Sequence, residues 1–232
     1  MRERKVDALL FDKDGTLFDF HKSWSRWAAD LIEDLCAGDP ALRARLADAM
    51  HFDIEGARFL ETSPVIACTN REVAECVALG LGRADVDAIE AKLMRSAAIA
   101  PQAPVVPLGP LFEDFASRNL KIGLMTNDAE IVARAHLDNA GIASHFDLVI
   151  GFDSGHGAKP APDPLLVFAR AVAVPPARVA MVGDSTHDLM AGRAAGMQTI
   201  AVLTGTAQAQ DLAPYADTVL PDIGHIPGWL TS

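Results

Sequence analysis

The sequence predicts an α/β protein: a doubly wound parallel sheet that carries a smaller all-helical domain. A short apolar run at residues 6–11 ends in an acidic turn, residues 20–100 show helical periodicity, and strand-like and helix-like segments alternate from residue 120 onward. Such alternation is typical of a parallel sheet with helices on both faces. Because the first strand precedes the helical block, that block is predicted to be an insertion into the sheet domain.

The insertion begins directly after the first predicted strand. Apolar side chains recur at helical spacing on one face, at Trp24, Trp27, Ala28, Leu31 and Leu35. Asp39, followed by proline, is a start signal for a second helix. Thr69 and Glu72 have the spacing of a capping box, and residues 85–98 form a last amphipathic stretch.

A proline-rich segment at residues 100–110 follows the insertion and contains four prolines. Proline lacks the backbone N–H that a helix interior requires, so this segment is predicted to be an extended connection. We therefore expect two domains: a core made of residues 1–19 and 101–232, and a helical insertion made of residues 20–100.

The second half of the chain supplies the rest of the predicted sheet. Apolar runs bounded by turn residues predict strands, and periodic segments between them predict helices. The predicted strands are 120–125, 146–151, 179–182, 199–203 and 218–220, and the predicted helices are 129–139, 163–172 and 186–195.

Composition excludes several classes of function. The net charge of −11 argues against a general nucleic-acid-binding protein, which needs a basic face. No apolar run approaches the ~20 residues that a membrane-spanning helix requires. The first residues lead into a strand without a signal-peptide pattern. We expect a cytoplasmic protein with no nucleic-acid or membrane partner.

Acidic and polar residues follow several predicted strands. In open parallel sheets, reactive groups gather at the carboxyl ends of the strands, so these segments are expected to meet at one edge. The segments are 12–16, 126–128, 159–160 and 183–188.

Clustered acids at this edge favour a metal site. Asp12 and Asp14 would repel each other without a cation nearby. A divalent ion held by Asp12 and Asp184 would relieve that repulsion, and oxygen ligands without cysteine favour Mg²⁺. Asp188 lies one helical turn after Asp184 and could hold a metal-bound water.

The same acids suggest phosphoryl transfer. Asp12 could attack a phosphoryl group and form an aspartyl-phosphate that water later hydrolyses. Asp14 could act as the general acid and base. Gly15 and Thr16 form a turn that directs both carboxylates to one pocket. Gly15 and Thr16 would themselves lie next to the substrate in that pocket.

Four further residues are candidate contacts for the substrate. The Thr126 hydroxyl and the Asn127 backbone N–H suit phosphoryl oxygens, and Lys159 would stabilise the charge of the transferred group. Arg58 of the insertion could reach a distal anionic group, or could simply be solvated at the surface.

Trp24 and Trp27 are expected in the core of the insertion, and His187 is expected to face outward.

Together, the residues of these four segments resemble the motifs of the haloacid dehalogenase superfamily, and in particular those of its phosphatases. The resemblance covers nearly the whole chain and includes all four of the family's motifs in the expected order. They are Asp12-Lys13-Asp14-Gly15-Thr16-Leu17, Leu124-Met125-Thr126-Asn127, Ala158-Lys159-Pro160 and Gly183-Asp184-Ser185-Thr186-His187-Asp188.

This resemblance implies a Rossmann-like core and a type 1 helical cap, as in phosphoglycolate phosphatase-like members. It implies that Asp12 is the nucleophile and a metal ligand, Asp14 the acid/base and a ligand through its backbone carbonyl, and Asp184 the third ligand. Lys13 departs from the family pattern, where an aliphatic residue is common, and is expected to point away from the pocket.

Alternative functions share these motifs. A phosphomutase resembling β-phosphoglucomutase would return the phosphoryl group to a sugar, and a non-catalytic switch would retain a stable phospho-aspartate. Removal of halide, the superfamily's original activity, requires neither a metal nor a second acid in the first motif. The main expectation is a Mg²⁺-dependent phosphatase for a small phosphorylated metabolite, such as phosphoglycolate, acting as a monomer or homodimer.

Overall fold

The computed structural model describes residues 5–66, 68–82 and 85–231. Within these residues the chain forms the following strands and helices. The strands are β1 (Ala8–Phe11), β2 (Phe52–Asp53), β3 (Arg58–Phe59), β4 (Lys121–Met125), β5 (Leu148–Ile150), β6 (Val179–Gly183), β7 (Gln198–Val202) and β8 (Thr218–Leu220). The helices are α1 (Phe20–Cys36), α2 (Pro40–Ala49), α3 (Asn70–Leu81), α4 (Val86–Ala98), α5 (Leu108–Ser117), α6 (Glu130–Asn139), α7 (Asp163–Ala171), α8 (Thr186–Ala194), α9 (Ala209–Leu212) and α10 (Ile226–Trp229).

The main sheet confirms the predicted fold class. Its six strands are parallel and lie in the order β5-β4-β1-β6-β7-β8. Phe11, the last residue of β1, pairs with Leu124 on one side and with Val182 on the other. The carboxyl ends of β4, β1 and β6 therefore lie next to one another, and these three ends carry three of the four predicted segments. The fourth, residues 159–160, lies in the loop that follows β5.

Both faces of β1 are buried, as expected for the centre of a doubly wound sheet. Successive side chains in a strand point to opposite faces. Phe11 packs against Phe112 and Phe115 of α5, with ring centroids 5.6 and 6.0 Å away. Leu10 belongs to a second apolar cluster with Phe168 of α7. Helices thus cover the sheet on both sides and fix the position of the acidic turn that follows Phe11.

Helix α5 was not predicted from the sequence. Residues 101–107 contain no helix, in agreement with the predicted connection, but α5 starts at Leu108 although Pro110 follows it. Pro110 lies in the first turn, where backbone N–H groups have no partner within the helix, so proline is tolerated there.

The cap consists of α1 to α4 and a short β2–β3 hairpin that the sequence analysis did not predict. The capping box of Thr69 and Glu72 is present at the start of α3. None of the helices in the described part of the chain is long and apolar enough to cross a membrane.

We propose that the domain boundaries lie near residues 20 and 100, as the sequence suggests. Two observations support this division. The apolar cluster of the cap comes from residues 20–100, with Ala129 and Val132 of α6 joining it. The chain enters and leaves the cap side by side, because the Asp19 N–H donates to the Ala103 carbonyl at 2.8 Å.

Gly123 offers a test of how tightly the core is packed. A Cβ at this position of β4 would lie 2.5 Å from the Phe168 ring and 2.9 Å from Leu10 Cδ1. We expect Gly123→Ala to lower the free energy of unfolding in urea by about 1–3 kcal/mol through overpacking.

The matched control is Gly109→Ala in α5, where an added Cβ meets no heavy atom within 4 Å. It should leave the stability unchanged or raise it by about 0.5–1 kcal/mol, since alanine is the better helix former. Equal stability of the two variants would contradict this description of the core.

Candidate active site

The carboxyl ends of the central strands form one wall of a cavity that the cap closes from the other side. The structure brings the four predicted segments together in this cavity, which explains the acidic turn after β1. The residues from these segments that line the cavity are Asp12, Asp14, Thr126, Asn127, Asp128, Lys159, Asp184, Ser185, His187 and Asp188.

Lys159 makes the central contacts of the site. Its Nζ lies 2.5 Å from Asp12 Oδ1 and 2.6 Å from Asp188 Oδ1, and all three side chains are buried. Burial alone would lower the pKa of Lys159, but the Asp12 and Asp188 carboxylates outweigh it and raise that pKa above its ordinary value. Lys159 is therefore a permanent positive charge between two acids.

Asn127 positions the loop that carries Lys159. The Asn127 side-chain amide donates to the Lys159 carbonyl at 3.0 Å, and the Lys159 N–H donates to Asn127 Oδ1 at 2.9 Å. From the sequence, only the backbone N–H of Asn127 was expected to have a role. Thr126 is buried, and its Oγ1 accepts a hydrogen bond from the Asp128 N–H at 3.1 Å.

Three carboxylates crowd one corner of the cavity. Each of Asp12, Asp184 and Asp188 offers a ligand atom within 4.8 Å of the other two. Burial, and after it the like charge of Asp188, raises the pKa of Asp12 to about 7, against the opposing effect of Lys159. Burial and the charges of Asp12 and Asp188 also raise the pKa of Asp184 well above its ordinary value.

This donor set fits a magnesium ion. Buried carboxylate oxygens without a soft ligand suit a hard divalent cation, which would offset the repulsion among them. The predicted metal ligation by the Asp14 backbone carbonyl stays a prediction, although Asp14 lines the same cavity.

Helix α8 orients Asp188. The Ser185 N–H and hydroxyl both donate to Asp188 Oδ2, at 3.0 and 2.7 Å, within the capping box that begins the helix. With Oδ2 occupied in this way, Oδ1 is directed at Lys159.

The turn after β1 is held by neighbouring loops. Gly15 has a φ of 78°, which favours glycine, and its carbonyl accepts from Thr204 Oγ1 at 2.6 Å. Thr16 Oγ1 donates to Asp184 Oδ1 at 3.2 Å. Gly15 and Thr16 are not among the described residues that line the cavity, so their contact with a substrate stays a prediction.

Gly205 contributes to the site but was not predicted from the sequence. A Cβ at Gly205, or at Gly15, would overlap the Asp184 carboxylate, so both glycines leave room for that side chain. Its position shortly after the carboxyl end of β7, at the same edge of the sheet as the site, could have indicated its role.

Lys13 is fully buried beneath the site. Lys13 was expected to point away from the pocket, and it does not line the cavity. Its Nζ nevertheless binds two acids that do line the cavity. It lies 2.6 Å from Asp128 Oδ2 and 3.1 Å from Asp14 Oδ2. Burial lowers the pKa of Lys13, but Asp128 and Asp14 outweigh that effect and raise it.

His136 of α6 connects Lys13 to the cap. Its Nε2 lies 2.8 Å from the Ala97 carbonyl, which can only accept, so Nε2 carries the proton. Its Nδ1 then accepts from Lys13 Nζ at 3.0 Å. Burial and the Lys13 charge lower the pKa of His136 to about 4, which keeps the ring neutral at pH 7.

Trp24 brings the cap into direct contact with Asp14. Its indole Nε1 donates to Asp14 Oδ1 at 2.7 Å, while Lys13 binds Asp14 Oδ2. Trp24 and Trp27 pack with the apolar cluster of the cap, as expected, but both also line the cavity. His187, expected to face outward, lines the cavity as well.

The structure does not bring Arg58 into this cavity. Arg58 lies in β3, its side chain is 67% exposed, and its Nε is 3.3 Å from Asp53 Oδ2. Its predicted role in substrate binding stays a prediction.

Comparison with known proteins identifies the family of the chain. A sequence model of the haloacid dehalogenase-like hydrolases matches residues 6–196. The chain belongs to this family. The match spans the acidic turn, Thr126, Lys159 and Asp188, so the residues that meet in the cavity lie within the shared region.

Curated relatives of this haloacid dehalogenase-like hydrolase include phosphatases. Phosphoglycolate phosphatase from Neisseria gonorrhoeae is 36% identical over 113 residues, which is 48% of each chain. A probable phosphatase, IndB, from Dickeya dadantii is 33% identical over 127 residues, or 53% of this chain and 55% of its own. The alignments thus span about half of the relatives they match.

Solved structures of the family share the fold over nearly the full length. A haloacid dehalogenase-like hydrolase from Bacteroides fragilis has a TM-score of 0.72 and 22% identity, and the alignment covers 96% of this chain and 100% of the other. L-2-haloacid dehalogenase from Xanthobacter autotrophicus has a TM-score of 0.66 and 21% identity, with 98% and 99% covered. At these identities the likeness supports the fold alone.

Proposed function

We propose that this hydrolase is a Mg²⁺-dependent phosphatase that cleaves a small phosphate monoester through an aspartyl-phosphate on Asp12. The observation that carries the proposal is the position of Asp12, whose Oδ1 lies 2.5 Å from Lys159 Nζ among the buried carboxylates of Asp184 and Asp188. A nucleophilic carboxylate must approach a phosphate dianion, and adjacent positive charge is what makes that approach favourable.

Asp12, Asp184 and Asp188, with the backbone carbonyl of Asp14, would hold Mg²⁺. When bound, this ion neutralises phosphoryl oxygens and lowers the charge repulsion between the substrate and Asp12. Lys159 and the Thr126 hydroxyl would bind the remaining phosphoryl oxygens.

Two chemical steps then follow from the side chains present. An Asp12 carboxylate oxygen forms a bond to phosphorus, the bond from phosphorus to the ester oxygen breaks, and Asp14, in its protonated form, gives its proton to the departing alcohol. Water next attacks phosphorus while Asp14, now a carboxylate, takes a proton from it. The bond from phosphorus to the Asp12 oxygen breaks, which releases phosphate and restores the Asp12 carboxylate. Lys13 and Trp24 hold the Asp14 carboxyl group in place for both transfers.

Phosphoglycolate is one candidate substrate, because several curated relatives carry that name. This is an analogy from partial alignments and identifies only the class of small phosphate monoesters. A cytoplasmic location and a monomeric or homodimeric state remain our expectations from the sequence.

The first test removes the proposed nucleophile. Asp12→Asn should reduce kcat for p-nitrophenyl phosphate by at least about 10³-fold, because the amide cannot form the phosphoenzyme. EDTA should abolish activity of the unchanged protein and added Mg²⁺ should restore it. Rapid acid quench and intact mass spectrometry should detect one added phosphoryl group on the unchanged protein but not on Asp12→Asn.

The matched control is Asp138→Asn, since Asp138 is an exposed acid on α6. It should retain full activity. Full activity of Asp12→Asn, or activity that EDTA does not alter, would refute the proposed mechanism. Isomerisation of a sugar phosphate without release of phosphate would favour the mutase instead.

The second test concerns Lys13 as a positioning residue for Asp14. Lys13→Met removes the partner of Asp14 Oδ2. Protonation matters most for a poor leaving group, so kcat/KM should fall at least about 10-fold more for ethyl phosphate than for p-nitrophenyl phosphate.

Two further variants make this test specific. Lys92→Met removes a cap lysine paired with Asp34 at the surface. This variant should leave kcat/KM unchanged for both substrates. Lys13→Met combined with Asp128→Asn avoids leaving the Asp128 charge unpaired, and it should keep the unequal loss. Equal loss for both substrates would show that Lys13 serves the fold and not the proton transfer.

A further inference from the structure

We propose that the alcohol portion of the substrate is uncharged and largely apolar, an aryl or alkyl group. This inference rests on the proposed phosphatase function. It goes beyond it by naming the class of alcohol, and it favours a different class from the carboxylate-bearing phosphoglycolate.

The cavity has two chemically distinct halves. Its core half carries the charged side chains described above. Its cap half is lined chiefly by apolar and aromatic side chains from α1, α3, α4 and the turn before α3. The principal ones are Phe20, Trp24, Trp27, Ile66, Val73 and Leu93. A substrate whose phosphate meets the core half must place its alcohol portion against this apolar wall.

Both indole N–H groups of the wall are already bonded. Trp24 Nε1 donates to Asp14, and Trp27 Nε1 donates to Ser96 Oγ at 3.0 Å. The two rings pack edge to face, with centroids 5.2 Å apart and planes at 82°. They therefore offer carbon surface to a ligand, which favours an aromatic or aliphatic group.

Basic groups are scarce in the cavity. In the described part of the chain, the basic side chains that line it are Lys159 and His187, both in the core half. Lys159 is bonded to Asp12 and Asp188. A carboxylate against the cap half would lose its water without gaining a cation, which is strongly unfavourable.

The basic residues of the cap do not change this conclusion. None of the Lys, Arg or His side chains in the described part of the cap lines the cavity. Four of them, Lys22, Arg58, Arg71 and Lys92, pair with acids elsewhere: Asp19, Asp53, Asp87 and Asp34 respectively. His187 lies between Asp184 and Asp188 in the sequence, and both line the cavity with it, so a second anion near His187 would also meet carboxylates.

Neutral polar groups are also few in the cap half. Asn70 and Cys68 are the polar side chains that line it from the described cap residues. They could satisfy one polar substituent, but not the several hydroxyl groups of a sugar, each of which needs a partner when buried. The cavity therefore disfavours sugar phosphates, and with them the phosphomutase alternative.

The test compares three phosphate monoesters of primary alcohols: benzyl phosphate, phosphoglycolate and the uncharged amide of phosphoglycolate. Burial of the ring should give benzyl phosphate a kcat/KM about 10–100-fold above that of phosphoglycolate. The amide should exceed phosphoglycolate about 10-fold, because the two match in size and differ in charge.

A cation placed in the apolar wall should shift this preference. Ile66→Lys should lower the ratio of benzyl phosphate to phosphoglycolate kcat/KM about 10-fold, since it offers the carboxylate a partner. The control is Leu79→Lys in α3, an apolar residue that is 82% exposed and outside the cavity lining, and it should leave the ratio unchanged.

The outcomes separate this inference from the proposed function. If the unchanged protein with Mg²⁺ hydrolyses these esters but prefers phosphoglycolate to both its amide and benzyl phosphate, the inference is wrong and the phosphatase proposal stands. If it hydrolyses none of the three and no p-nitrophenyl phosphate, both are wrong. The comparison on the unchanged protein decides the question even if Ile66→Lys fails to fold.

Discussion

The Lys159 ammonium group between Asp12 and Asp188 is the interaction on which the rest of the site depends. Three buried carboxylates lie within 4.8 Å of one another, which is unfavourable unless positive charge is nearby. Lys159 contributes one charge directly, and the remaining repulsion makes the corner a good site for a divalent cation. The parallel sheet forms this cluster, because the carboxyl ends of β1 and β6 are adjacent and bring Asp12 and Asp184 together.

A second buried network links the chemistry to the cap. Lys13 joins Asp14 to Asp128 and to His136, His136 reaches the Ala97 carbonyl of α4, and Trp24 of α1 reaches Asp14 directly. Two cap helices therefore contact the Asp14 network. A displacement of the cap would break these bonds, so the position of the proposed acid and base depends on how the cap sits on the core.

Much of the core could be predicted from the sequence because its signals are local. Buried strands such as β1 and β6 are short apolar runs, and the acidic segments follow them directly. Helix α5 was missed because prolines dominate the preceding segment, although Pro110 in a first helical turn costs little. The β2–β3 hairpin has two residues per strand, too few for an alternating pattern.

The site was predictable where residues lie at strand ends and unpredictable where they meet across domains. Asp12, Thr126, Lys159 and Asp184 each follow a recognisable segment. The contacts of Lys13 with His136 and of Trp24 with Asp14 depend on the packing of the cap, which local patterns do not encode. Helical spacing placed Trp24 in an apolar stripe, but it did not indicate that this stripe continues into the cavity wall.

A crystal structure of the protein with Mg²⁺ and beryllium fluoride would test the central claim most directly. We expect a beryllium atom bonded to an Asp12 carboxylate oxygen, Lys159 Nζ within hydrogen-bonding distance of a fluoride, and Mg²⁺ bound by Asp12 and Asp184. Beryllium fluoride bound away from Asp12, or Mg²⁺ bound without these aspartates, would contradict it.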